Sequence, residues 1–129
     1  MTEPRPRAAG TKLRIIRMAF LAGVVTLGAV VMFLVGRDGP RAPERAATMQ
    51  VMNIIFIVAA AVGILWMQRK HATEQNPSER TTWNICAWAF GEVTALTGAV
   101  HYLLVGSPIP YLVGLGMMLA AFALVPIRE

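Results

Sequence analysis

The chain has 129 residues, 56% of them hydrophobic, and a mean hydropathy of +0.55. Soluble domains usually contain about 45–50% apolar residues, so this composition excludes an ordinary soluble domain. The formal net charge is +5, and the single cysteine, Cys86, excludes an intramolecular disulfide and a cysteine-based metal site.

Four apolar segments follow one another along the chain, with approximate bounds 18–36, 48–67, 81–105 and 108–125. Each has about 18–25 residues, the length that a helix needs to cross a hydrocarbon core of about 30 Å. Backbone groups in lipid must be satisfied within their own segment, and no alternating barrel pattern is visible. The sequence therefore predicts an all-α integral membrane protein: one four-helix bundle over 13–129, preceded by a flexible basic tail over 1–12.

The first segment follows basic residues, as the apolar region of a signal peptide does. Its uncharged run is longer than the expected 7–15 residues or so, and no A-x-A cleavage site follows it. We interpret this segment as a retained transmembrane helix.

The positions of the basic residues predict the orientation of the helices. Nine of the 12 lie before the first segment, between the second and third, or after the fourth, and the other three lie in the first loop. Cytoplasmic loops carry the excess of Lys and Arg, so both termini are expected on the cytoplasmic side of the inner membrane. The basic N-terminal segment could also bind anionic lipid. The positive charge thus reports topology, and we expect no nucleic-acid partner.

The third and fourth segments are predicted to form a tight antiparallel hairpin. Asn76 and Pro77 form a helix start, and only Gly106-Ser107-Pro108 separates the two segments. Small residues repeat along the third helix and allow close helix packing: Ala87, Gly91, Ala95, Gly98 and Ala99. This face is either a specific assembly surface or ordinary packing within the bundle. In the functional hypothesis below it points outward, toward other chains.

Glu92 lies near the middle of the third segment. An ionisable residue at this depth costs roughly 2.5–3.5 kcal/mol on insertion scales. It could carry a proton or cation, bind a cationic substrate, or lock helices together while protonated or paired. No Lys or Arg is expected at its depth on another helix, so we predict that Glu92 is protonated or contacts another chain.

His101 lies nine residues after Glu92 and therefore on a different face of the helix. With Thr94 and Thr97 it forms a short polar stripe, and we expect His101 to form a hydrogen bond with Thr97. A haem or pigment bound through His101 is the less favoured interpretation, because His71 is predicted in a cytoplasmic loop and cannot be a second axial ligand. No cofactor and no metal are expected.

The residues Ala89–Val100, AFGEVTALTGAV, resemble the ion-carrying helix of ATP synthase c-subunits. The shared features are the midmembrane carboxylate Glu92, Gly98 six positions later, and Val100. The resemblance implies a ring-forming proteolipid in which Glu92 binds the transported ion. It is confined to these residues, and no family is recognised over the entire chain.

The sequence shows no Ser/His/Asp arrangement, clustered metal ligands or phosphate-binding glycine loop, so we do not expect an enzyme. The leading hypothesis is a non-catalytic accessory or scaffolding subunit of a larger membrane complex, with Glu92 contacting a neighbouring subunit. The alternative is a homo-oligomeric translocator of protons or small cations that uses Glu92. The expected partners are the lipid bilayer and either other membrane subunits or copies of this chain.

Overall fold

The computed structural model describes residues 6–128, and their side chains from Gly10 onward. Four helices occupy most of this range: α1 (Pro6–Asp38), α2 (Ala46–Thr73), α3 (Pro77–Val105) and α4 (Ile109–Leu124). A 3-10 turn, Pro43–Arg45, precedes α2. The described residues contain no strand, so the all-α prediction is confirmed. Part of the predicted tail, residues 1–5, lies outside the described residues, and from Pro6 the backbone is helical rather than a flexible tail.

Local sequence explains where several of these helices begin and end. Gly39 and Gly106 have φ values of 78° and 90°, a region that glycine adopts without steric penalty, and they follow the ends of α1 and α3. At the start of α3 the Asn76 side chain accepts a hydrogen bond from the backbone N–H of Ser78, and Pro77 occupies the first helical position.

α3 is the central helix and contacts each of the others, with its most extensive contact to α4. Among the described residues, α1 and α2 do not contact each other directly. α4 is also joined to α1 through Tyr111, whose hydroxyl donates a hydrogen bond to Val24 O over 2.9 Å. Gly28 provides the space for this ring, because a Cβ there would overlap the Tyr111 side chain.

The connecting segments meet at two opposite ends of the molecule. At one, the Gly106 end, the backbone N–H groups of Arg41 and Ala42 donate to the carbonyls of Leu103 and Leu104. At the other, the Arg128 end, the Arg128 side chain reaches the carbonyl of Ala72 near the end of α2. α1 and α3 therefore run in the same direction, and α2 and α4 run in the opposite one.

Two helical segments, Gly10–Asp38 and Pro43–Thr73, are long and apolar enough to cross a membrane by length and composition, and α4 is a shorter apolar helix. Only 17% and 22% of the most apolar stretches in the two long segments are buried within the chain. A core helix of a soluble protein buries its apolar face. Here most of the apolar side chains of α1 and α2 face outward.

Candidate functional site

Glu92 lies on a partly exposed flank of α3, between buried Gly91 and exposed Val93. No hydrogen bond or ion pair joins its carboxyl group to any described residue. Along α3 it lies eight residues after Asn84 and nine before His101, or about 12 and 13.5 Å at the helical rise. Glu92 is therefore far from both ends of the molecule.

Gly91, Ala95 and Gly98 of α3 face α4, and Ala87 and Ala99 on the same helix are buried. Ala87, Ala95 and Ala99 are at most 1% exposed. A Cβ added to Gly91 would lie 2.6 Å from Met118 Cα, and one added to Gly98 would lie 2.5 Å from Pro110 O. The expectation that this face points toward other chains is therefore wrong: it allows the backbones of α3 and α4 to approach each other within one chain.

The residues of the predicted polar stripe, Thr94, Thr97 and His101, form hydrogen bonds with other groups and not with one another. The hydroxyls of Thr94 and Thr97 donate to the carbonyls of Phe90 and Val93, four residues earlier in α3. His101 is 4% exposed and pairs with Asn53 of α2 rather than with Thr97. The expected hydrogen bond between His101 and Thr97 is wrong, because the Thr97 hydroxyl is already committed to its own helix.

The contact between Asn53 and His101 fixes the proton positions of the histidine. One Asn53 side-chain atom, Nδ2, lies 2.8 Å from Met49 O and 2.8 Å from His101 Nδ1. A carbonyl only accepts hydrogen bonds, so this atom is the amide nitrogen, and it donates one hydrogen to each neighbour. Nδ1 of His101 therefore accepts, and in the neutral ring Nε2 carries the proton. In this tautomer Nε2 can donate a hydrogen bond and has no lone pair to offer a metal.

A surface cavity of about 250 Å³ lies beside this pair at the Gly106 end. Its lining includes His101 and two further polar residues, Gln50 of α2 and Ser107 of the loop before α4. The rest of the lining is apolar and uncharged: Ala46, Val105, Ile109 and Pro110. The cavity brings together polar residues from three different parts of the sequence.

A second buried polar network, centred on Asn84, lies at the Arg128 end. The Asn84 amide nitrogen donates to the carbonyls of Val125 and Pro126 over 2.9 and 3.0 Å. Its oxygen accepts from Nε2 of His71 over 3.0 Å. Trp88 Nε1 also donates to Val125 O over 3.0 Å. These contacts attach the end of α4 to α2 and α3.

The sequence pattern does not predict this network, and it places His71 in a loop. His71 lies instead in the last turn of α2 and is 1% exposed. Asn84 could have been found: it precedes Ala87, Gly91 and Ala95 by three, seven and eleven residues, so it falls on the packing face of α3. A polar side chain on such a face needs a buried partner.

Chemically, these groups can donate and accept hydrogen bonds. The described residues contain no group of three or more His, Cys, Asp or Glu side chains that could hold a metal ion. Glu92, the His101 cavity and the Asn84 network lie at different depths along α3. In comparisons with protein-family models, curated proteins and solved structures, the chain matches none of them.

Proposed function

We propose that all four helices cross the inner membrane and form a multi-pass bundle. The observation that carries this proposal is the apolar outer surface of α1, α2 and α4. Large apolar side chains on it are 57–65% exposed: Ile15, Phe33, Ile55, Val62, Ile109 and Leu112. Contiguous apolar surface of this kind is rare on soluble monomers, whereas lipid tails cover it without cost.

The shorter and more polar helices fit the same proposal. α4 has 16 residues, about 24 Å of helix, and the adjoining segments 106–108 and 125–127 supply the rest of the span. α3 contacts all three other helices, so its polar side chains are shielded from lipid over much of its surface. A central helix can therefore be less apolar than its neighbours and still cross the membrane.

Charge at the two ends supports cytoplasmic termini. The Arg128 end carries most of the described basic residues: Lys12, Arg14, Arg17, Arg69, Lys70, Arg80 and Arg128. The Gly106 end has three, and Asp38 forms ion pairs with two of them, Arg37 at 2.9 Å and Arg41 at 3.2 Å. The positive-inside rule then assigns the Arg128 end to the cytoplasm.

This topology predicts a one-sided labelling pattern. In a Cys86→Ala background, Glu44→Cys at the Gly106 end should react with a membrane-impermeant maleimide in intact spheroplasts. Ser78→Cys at the Arg128 end should react only after the membrane is opened. Both positions are exposed, so the two variants differ only in the side of the membrane on which the cysteine lies. The reverse pattern would overturn the orientation, and equal labelling in intact spheroplasts would overturn the membrane topology.

Within this architecture, we propose a non-catalytic accessory or scaffolding role in a larger membrane complex. The supporting observation is Glu92, a carboxyl group on a partly exposed flank with no partner among the described residues. A polar group in the hydrocarbon region is stabilised when a neighbouring subunit supplies a hydrogen bond. The alternative is a homo-oligomer of this chain in which Glu92 exchanges protons or small cations.

Substitutions at Glu92 test the accessory role. Glu92→Leu should remove co-purifying subunits from the particle released by mild detergent, whereas Glu92→Gln should retain them because the amide still forms hydrogen bonds. Leucine would leave the buried polar group of the partner unsatisfied, which costs about 1–3 kcal/mol, so partner retention should fall about five- to a hundredfold. Native mass spectrometry gives the subunit ratio, and Val93→Leu, at the adjacent exposed position, is the matched control.

The same variants separate the two candidate roles. Full retention of partners by Glu92→Leu would show that Glu92 is not the contact. A particle that contains only copies of this chain would favour the translocator. In that case Glu92→Gln should keep the oligomer intact and abolish ion flux into proteoliposomes, because an amide cannot release a proton.

A further inference from the structure

We propose that the cavity at the Gly106 end binds an uncharged carbonyl oxygen of a lipid-soluble molecule, with His101 Nε2–H as the hydrogen-bond donor. The carbonyl belongs either to a quinone ring or to the ester of a glycerolipid. This site goes beyond the accessory role and rests only on the proposed membrane placement, which brings the cavity to the level of the outer interface.

The His101 ring supplies the hydrogen-bond donor. Asn53 occupies Nδ1, so the proton of the neutral His101 ring is on Nε2. Nε2 has no hydrogen-bond partner among the described residues. The only described buried side-chain N or O atom that lacks both a partner and surface access is Trp83 Nε1. His101 Nε2 therefore retains surface access, although the residue is 4% exposed, and His101 lines the cavity.

The cavity has both the size and the access to the surface that an organic ligand needs. A cavity needs only about 10–15 Å³ of such volume to hold one water molecule. The 250 Å³ here exceeds that many times over and has room for an organic group. Ile109, which is 65% exposed, and the exposed Gln50 lie at its rim, so a molecule can enter from the surface of the helices.

The chemistry of the lining favours an uncharged hydrogen-bond acceptor. Besides Nε2–H, the Ser107 hydroxyl and the Gln50 amide can donate hydrogen bonds, and no charged side chain lines the cavity. A phosphate or a metal cation would bring a charge for which the lining offers no counter-charge. A neutral carbonyl matches both the donors and the lack of charge, and the apolar lining residues suit the carbon atoms around it.

The nitrogen resonances of the chain's two histidines, His71 and His101, can measure binding at this cavity. With ¹⁵N-histidine, the protein is reconstituted in nanodiscs of ether-linked phosphatidylcholine, which has no ester carbonyl, and titrated with decylubiquinone. We expect a saturable change in the Nε2 resonance of His101. His71 lies at the opposite end and is held by Asn84, so its resonances should not move. His71→Gln assigns the two signals.

A second variant tests the part played by Asn53. Asn53→Leu leaves His101 in place and removes the donor that fixes its tautomer. In the other tautomer Nε2 carries no proton and cannot donate to the quinone. Quinone binding should therefore weaken by roughly three- to tenfold, the usual loss for one neutral hydrogen bond. Unchanged binding in this variant would overturn the role given to the tautomer.

Two comparisons identify the source of the carbonyl. A saturable shift with decylubiquinone in ether-lipid discs assigns the site to a quinone ring. A His101 shift that appears only when ester-linked lipid replaces ether-linked lipid assigns it to a glycerolipid ester. No shift in either case overturns the proposal. Incorporation of the protein into the discs reports membrane placement separately, so failure there is distinguishable from failure of the binding site.

Discussion

Replacing Gly114 with alanine is expected to lower the free energy of unfolding by about 2 kcal/mol or more, although alanine is the better helix former. A Cβ at this position would lie 2.6 Å from both Ala95 Cα and Thr94 O, and 2.7 Å from Ala95 N. All three are backbone atoms of α3 and are fixed by the helix. No flexible side chain can move aside, so α3 and α4 must separate along their most extensive contact.

The matched control is Gly116→Ala, two residues further along α4. Nothing lies within 4 Å of a Cβ at Gly116, so this change should be neutral or slightly stabilising. Far-UV circular dichroism during titration of mixed micelles with dodecyl sulfate gives both free energies of unfolding. Similar values for the two variants would contradict the close approach of α3 and α4.

The lengths of the apolar segments and the residues that start and end helices predicted most of the fold. Apolar length located the four helices, Asn76 and Pro77 marked the start of α3, and Gly106 marked its end. α1, α2 and α3 extend beyond the predicted segments because flanking polar residues can continue a helix outside the apolar stretch, whereas α4 is one residue shorter at each end than the predicted 108–125. The direction of the small-residue face could not be predicted, because spacing alone shows that residues share a face and not which helix covers it.

The polar contacts were less predictable, for a physical reason. Asn53 and His101 are 48 residues apart, and His71 and Asn84 belong to different helices. Such pairs depend on the rotation and register of two packed helices, which a single helix pattern does not determine. Burial in an apolar setting nevertheless requires partners for these groups. A search for polar residues on packing faces would have found Asn84, although not its partners.

Asn84→Asp should be more damaging than the similar size of the two side chains suggests. The wild-type amide donates to two carbonyls, Val125 O and Pro126 O, and a carboxylate can donate to neither. Asn84 is 1% exposed, so water cannot replace the lost bonds. Val125 O keeps its hydrogen bond from Trp88 Nε1, but Pro126 O loses its donor and a buried carboxylate is left facing two carbonyl oxygens. The loss should therefore be about 3 kcal/mol or more. The free energy of unfolding and the rate of proteolysis near Val125 measure the effect.

Asn76→Asp makes the same chemical change where no donor is needed. The Asn76 side chain is exposed and only accepts, from the N–H of Ser78, so a carboxylate replaces it within about 0.5 kcal/mol. Acidification should narrow the difference between the two variants, because a protonated carboxyl group at position 84 can again donate to one of the two carbonyls. Equal stability of the two variants at neutral pH would show that the hydrogen bonds donated by Asn84 do not fix the end of α4 in place. A difference in stability that narrows as the pH falls would instead show that a carbonyl at this site requires a hydrogen-bond donor at position 84.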